Sequence, residues 1–141
     1  MISFFVPLIP KGQARARSRA VNIGGSYRAM TYKSKEGRLA EAKFLECAKE
    51  FAPHTPLAGP LRLTVSAWFA IPESYSKKRL QELQYNNYAH TTKPDLDNIV
   101  KLVKDSLNGV FWLDDKQIYA VMATKSYATE GFVGYSVRIT R

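Results

Sequence analysis

Four aspartates and a lysine crowd into one stretch of this chain. Lys93-Pro94-Asp95-Leu96-Asp97-Asn98-Ile99-Val100-Lys101 is answered a little later by Leu113-Asp114-Asp115-Lys116-Gln117. Carboxylates held that close repel one another unless a cation lies between them, and a divalent ion is the usual solution. Pro94 disfavours helix at Lys93 and is well placed to lead into one. Leu96, Ile99, Val100, Val103 and Leu107 then form an apolar stripe over three turns, and Asn108-Gly109 gives a stop. The opposite face carries Asp97, Lys101 and Asp105 at successive i+4 steps. A plain surface helix would explain that face, with acids complementing the dipole and lysines in solvated pairs. Two features argue for more. Asp95 and Asp97 straddle the helix start, where non-helical dihedrals can aim both carboxylates at one point. Val110 to Leu113 then deliver Asp114 and Asp115 at the entrance of a strand, Ile118 to Tyr127. Acids so grouped have the raw geometry of a Mg²⁺ site that holds water and a phosphate together. Lys101 is placed to stabilise negative charge developing on that phosphate.

The rest of the chain predicts the scaffold for that centre. Ile2 to Val6 reads as a strand stopped by Pro7 and Pro10. The basic run from Lys11 to Arg19 reads as a loop, Asn22 to Ser26 as a turn, and Tyr27 to Tyr32 as a short strand. From Ser34 to about Ala52 the spacing of Ala40, Phe44, Cys47, Ala48 and Phe51 predicts a helix with one buried face. Pro53, Pro56, Gly59 and Pro60 mark the following loop. Strict alternation makes Leu61 to Phe69 the best strand, and Ser74 or Ser76 is placed to cap a short helix from Lys77 to Gln84. Asn86 to Thr92 is a polar loop. Thr129-Glu130-Gly131 looks like a turn joining the strand that ends at Tyr127 to alternating Val133, Tyr135, Val137 and Ile139. The expected fold is α+β. Residues 1–141 form a single domain, with a mixed or antiparallel sheet, two main helices and a C-terminal β-hairpin.

Charge then narrows the partner. Lys plus Arg number 21 against 12 Asp plus Glu, a net charge of +9, which favours a polyanion: nucleic acid first, an anionic membrane surface second. Lys11, Arg15, Arg17 and Arg19 alternate with small residues that permit close approach to a phosphate backbone. Lys77, Lys78 and Arg79 make a second cluster, and Lys93 stands beside the acids. A basic protein with a small acidic pocket has the charge pattern of a metal-dependent nuclease. The lone cysteine, Cys47, excludes an internal disulfide framework and fits a reducing cytoplasm. No leader pattern or membrane-length apolar run appears, so a cytoplasmic location is expected.

These residues carry a family resemblance. The motif Lys93-Pro94-Asp95-Leu96-Asp97-Asn98, with Lys101, Asp105, Asn108-Gly109, Asp114-Asp115 and Gln117-Ile118, resembles the RusA family of Holliday junction resolvases. The early Pro7-Leu8-Ile9-Pro10-Lys11-Gly12 and its trailing arginines are similar to that family's N-terminal basic signature. The resemblance implies a homodimeric, Mg²⁺-dependent endonuclease, with Mn²⁺ as an acceptable substitute. Such enzymes act in DNA recombination and repair, make paired symmetric nicks across four-way junctions, and are often prophage-encoded. It further implies that Asp95, Asp97 and Asp115 are the catalytic, metal-binding carboxylates and Lys101 the catalytic lysine, with Asp114 next in line as a metal ligand. Some members carry an arginine directly before the first aspartate. Pro94 stands there in this chain, leaving Lys93 or the Arg15–Arg19 group to supply the cation. Two other readings fit the residues: a nuclease with a wider taste for branched or flapped DNA, and a non-catalytic basic DNA-binding module whose aspartates are structural.

Overall fold

Period-two and period-3.6 apolar patterns account for most of the computed structural model, which describes residues 1–141. In chain order the elements are β1 (Ile2–Val6), β2 (Arg17–Ile23), β3 (Ser26–Tyr32), α1 (Lys35–Ala48), β4 (Leu61–Phe69), α2 (Lys77–Tyr85), α3 (Leu96–Leu107), β5 (Ile118–Tyr127) and β6 (Gly134–Thr140). Short 3₁₀ turns follow α1 and precede β5. β1, β6, β4 and β5 form one mixed sheet in that order, while β2 and β3 make a separate antiparallel ribbon. The α+β class and the mixed sheet agree with the expectation from sequence.

Alternation on β4 buries Leu61, Leu63, Val65, Ala67 and Phe69 on one face and turns Arg62, Thr64, Ser66 and Trp68 to the other. Phe4 and Val6 of β1 join the buried face, with Tyr135, Val137 and Ile139 of β6. α1 brings Phe44 and Ala48 to this core, and α3 brings Ile99, Leu102, Val103 and Leu107. Each such aliphatic side chain contributes about 1.5–3 kcal/mol on burial. Phe51 departs from the expected buried face: it falls in the 3₁₀ turn after α1 and is exposed, though its ring stacks on Phe4.

Two expectations are corrected. The last two strands are not a hairpin, because β4 lies between them, parallel to β5 and antiparallel to β6. The strand with the most buried residues takes a central place with a partner on each edge. The link after Tyr127 therefore crosses the end of β4, where the Ala128 amide donates to the Phe69 carbonyl at 2.7 Å. The basic run is likewise not a loop throughout, since from Arg17 it is paired strand in register with Tyr32. Gly24 and Gly25 have positive φ and make the tight turn of this ribbon, where the Gly25 amide donates to the Asn22 side chain.

Candidate active site

α3 begins as Pro94 foreshadows. Asp95 is the N-cap residue with extended backbone, but its carboxylate makes no capping hydrogen bond and is left free. Asp97, in the first turn of the helix, also has no protein partner and favours the positive end of the helix dipole. Beyond α3, Phe111 and Trp112 are fully buried and anchor the chain against the core. Asp115 follows at the start of the 3₁₀ turn, where the buried Trp112 indole Nε1–H donates to its Oδ1 at 2.8 Å. Asp114 is used differently. It caps that turn, accepting from the Lys116 amide while the Gln117 side chain accepts from the Asp114 amide.

Asp97, Asn98, Lys101, Lys104, Asp105 and Asp115 line one open cleft of about 420 Å³. Carboxylates from α3 and from the entrance of β5 thus face a common space that Lys101 also lines. Lys101 Nζ lies 3.0 Å from Asp105 Oδ2. Asp95 and Asp114 do not line the cleft. No three histidine, cysteine or acidic side chains draw together at metal-ligand spacing. Mg²⁺ needs fewer from the protein: one or two carboxylates, with water and substrate phosphate completing its octahedron. Asp97 and Asp115 meet that requirement with hard oxygen donors in an open cleft.

The sequence pattern gave no sign of the groups behind these acids. Gln13 reaches in from the segment before the ribbon, and its Nε2 donates to Glu41 Oε1 at 2.5 Å and to Asp105 Oδ2 at 2.7 Å. Its backbone is fixed as well, since the Gln13 amide donates to the Asn98 carbonyl at 2.9 Å. Gly12 permits that approach, because a Cβ there would lie 2.9 Å from the Asn98 Cβ. Tyr135 secures the same segment from β6: its buried hydroxyl accepts from the Lys11 amide at 2.6 Å. Burial pushes that phenol up to about 12, so it stays protonated. Lys125 braces the other side, donating to the carbonyls of Thr92 and Pro94 at 2.6 and 2.8 Å, directly before Asp95.

The candidate DNA-binding residues divide by position. Arg17 and Arg19 share one face of the ribbon with Met30, Arg28 and Tyr32, and the Arg19 guanidinium lies 5.7 Å from the centre of the Tyr32 ring. Arg38 on α1 adds a cation that the sequence pattern did not single out, lining a hollow with Arg19, Met30 and Tyr32. Lys11, Arg15 and Lys93 are exposed. Lys77, Lys78 and Arg79 stand on the first turn of α2, with Arg79 over Tyr75, and line no part of the acidic cleft. A separate hollow between α1 and the Pro7–Lys11 segment is mainly apolar and holds no carboxylate. No helix is long and apolar enough to cross a membrane.

Comparison with known proteins bears on the family of the chain. The family model described as "Endodeoxyribonuclease RusA" matches residues 7–140. The chain is also 36% identical over 93 residues to a Bacillus subtilis (strain 168) protein described as "Uncharacterized protein YqaN". That match covers 64% of this chain and 66% of the relative, just under two thirds of the relative's length.

Proposed function

Because the chain belongs to the RusA endodeoxyribonuclease family, we propose that it resolves four-way DNA junctions by paired, symmetric, Mg²⁺-dependent nicks. The observation that carries this reading is the shared cleft: Asp97 and Asp115, from two separate elements, face one space that Lys101 also lines. Asp97 and Asp115 would hold Mg²⁺, with Asp95 close in sequence as a further carboxylate and Asp114 kept for its turn. When bound, the ion supplies a lowered pKa for the attacking water and neutralises charge on the phosphate oxygens. Lys101 neutralises the extra negative charge of the pentacovalent phosphorus, exchanging Asp105 for the phosphate. The ribbon arginines Arg17 and Arg19, with Lys11, Arg15 and Lys93, grip the backbone on either side of the cut. Lys77, Lys78 and Arg79 extend that grip to a more distant arm of the junction.

A four-way junction has approximate two-fold symmetry, and two opposed cuts need two active sites related in the same way. The working form is therefore a homodimer of this single domain. It would serve recombination and repair in the cytoplasm, in a prophage setting. The test is nicking of a synthetic four-way junction, a flap and a linear duplex in Mg²⁺ by wild type and Asp97→Asn, with binding followed in parallel. Paired nicks on the junction, lost in a variant that still binds, are expected. Equal cutting of flaps and junctions would replace the junction reading with a broader branched-DNA nuclease. Binding without cutting by either protein would leave only a DNA-binding module.

A further inference from the structure

We propose that Lys33 is a second cationic phosphate contact of the cleft, delivered by the β2–β3 ribbon when DNA engages it; this rests on the nuclease reading above. Lys33 occupies the single position between the end of β3 at Tyr32 and Ser34, the buried N-cap of α1. Its backbone is therefore pinned on the helix side while its other neighbour belongs to the basic ribbon. With Arg17 it lines a hollow of about 440 Å³. In the other direction its Nζ lies 2.8 Å from Glu41 Oε1. Glu41 is joined through the Gln13 amide to Asp105, and Asp105 in turn holds Lys101.

Two lysines are thus parked on two acids that share one glutamine. The acids are well covered, with side chains 17% exposed for Glu41 and 16% for Asp105, whereas Lys33 and Lys101 are 51% and 60% exposed. An exposed lysine loses little on leaving such a pair. Glu41 keeps the Gln13 hydrogen bond when Lys33 departs, so no buried acid is stranded. The hydrogen bond to Glu41 holds the Lys33 ammonium above its ordinary pKa against a smaller lowering by burial. The charges of Glu41, Asp105 and Asp115 add to the rise, and the link to the cleft runs from Glu41 through Gln13 to Asp105, which lines it. A phosphate entering beside Asp115 offers Lys33 a stronger partner.

The experiment measures single-turnover nicking of a four-way junction at saturating enzyme, with junction affinity and melting temperature recorded separately. The variants are Lys33→Met, Lys33→Arg and Glu41→Gln. Loss of a cation that acts on the reacting phosphate predicts a rate about 100-fold lower for K33M, with K33R recovering most of it. Affinity should stay within about threefold, and E41Q, which releases Lys33, should keep the wild-type rate within the same factor. Equal slowing by K33M and E41Q would reduce the pair to a structural contact and overturn the proposal. So would a K33M defect confined to affinity, or a K33M rate equal to that of an active wild type, either of which leaves the nuclease reading intact. A wild type that cuts no branched DNA removes both.

Discussion

Trp112→Phe isolates the role of the indole behind the cleft. Trp112 is fully buried and its N–H donates to Asp115 Oδ1 at 2.8 Å, so phenylalanine keeps an aromatic filler and removes the donor. A hydrogen bond to a charged group contributes about 1.5–3 kcal/mol, and the lower end applies because water can reach the partly exposed Asp115. The smaller ring leaves a cavity whose cost stays well below the ~3–5 kcal/mol of a Trp→Ala change, about 1–2 kcal/mol. The sum is about 2.5–3.5 kcal/mol, or roughly 8–11 °C in melting temperature for a chain of this size. Function should suffer separately. A carboxylate released from its orienting donor weakens metal binding by about 10–100-fold, so the Mg²⁺ concentration for half-maximal nicking should rise by that factor. The control is Phe111→Leu, which trims an equally buried neighbour whose ring is tilted against Phe4 and makes no bond to Asp115. It should lower the melting temperature and leave the Mg²⁺ midpoint alone. A W112F protein with a lowered melting temperature and an unmoved Mg²⁺ midpoint would refute the orienting role.

Asp97→Asn should abolish nicking while changing stability by no more than the helix-dipole contribution, about 0.3–1 kcal/mol, because its carboxylate has no protein partner to lose; urea denaturation beside the nicking assay checks this. His90 stacks on Phe69 and its pKa is lowered, first by burial and then by the charge of Lys125. Its stabilising contribution is therefore full above the unfolded-state value near 6.5 and is lost as pH falls from there through the lowered folded-state value. Melting curves of wild type and His90→Phe between about pH 5 and 8 should show that the variant flattens this acid-side decline. Gly134→Ala should destabilise by about 2–4 kcal/mol in urea titrations, since its φ is +154° and a Cβ would lie 2.3 Å from the Val6 carbonyl oxygen. Lys125→Met removes two donors from the loop before Asp95, so amide exchange across residues 91–96 should speed up and nicking should slow by about 10-fold.

Sequence periodicity revealed what the core dictates and little of what it does not. β4 and α3 were legible because each presents one continuous apolar face, and a shift of register would expose it. Tyr27 to Tyr32 was legible as a strand and lies within β3, but its partner β2 escaped detection for the opposite reason: nearly every residue of β2 is exposed, so no buried stripe marks its period. Partner choice within the sheet was equally hidden. β5 and β6 are neighbours in sequence, yet both pair with β4. At the site, clustering brought Asp97, Lys101 and Asp115 into view. Gln13 could not be found that way, because its acids lie 28 and 92 positions along the chain, and one glutamine carries no pattern of its own.

The partners of the carboxylates also sort their work. Asp105, Asp114 and Asp115 each accept from a protein donor: Gln13 and Lys101, the Lys116 amide, and the Trp112 indole. Asp95 and Asp97 accept from none, although Asp95 stands where an N-cap bond is ordinarily made. A charge that serves only stability tends to acquire such a partner, because leaving it bare beside like charges costs free energy. Asp97 forgoes that gain where α3 lines a cleft that also holds Asp115, and Asp95 forgoes it two residues earlier at the N-cap. Both carboxylates are exposed and open to an incoming cation. On the proposed nuclease reading, a hydrated divalent ion would supply that positive charge, with Asp97 and Asp115 as its carboxylate ligands.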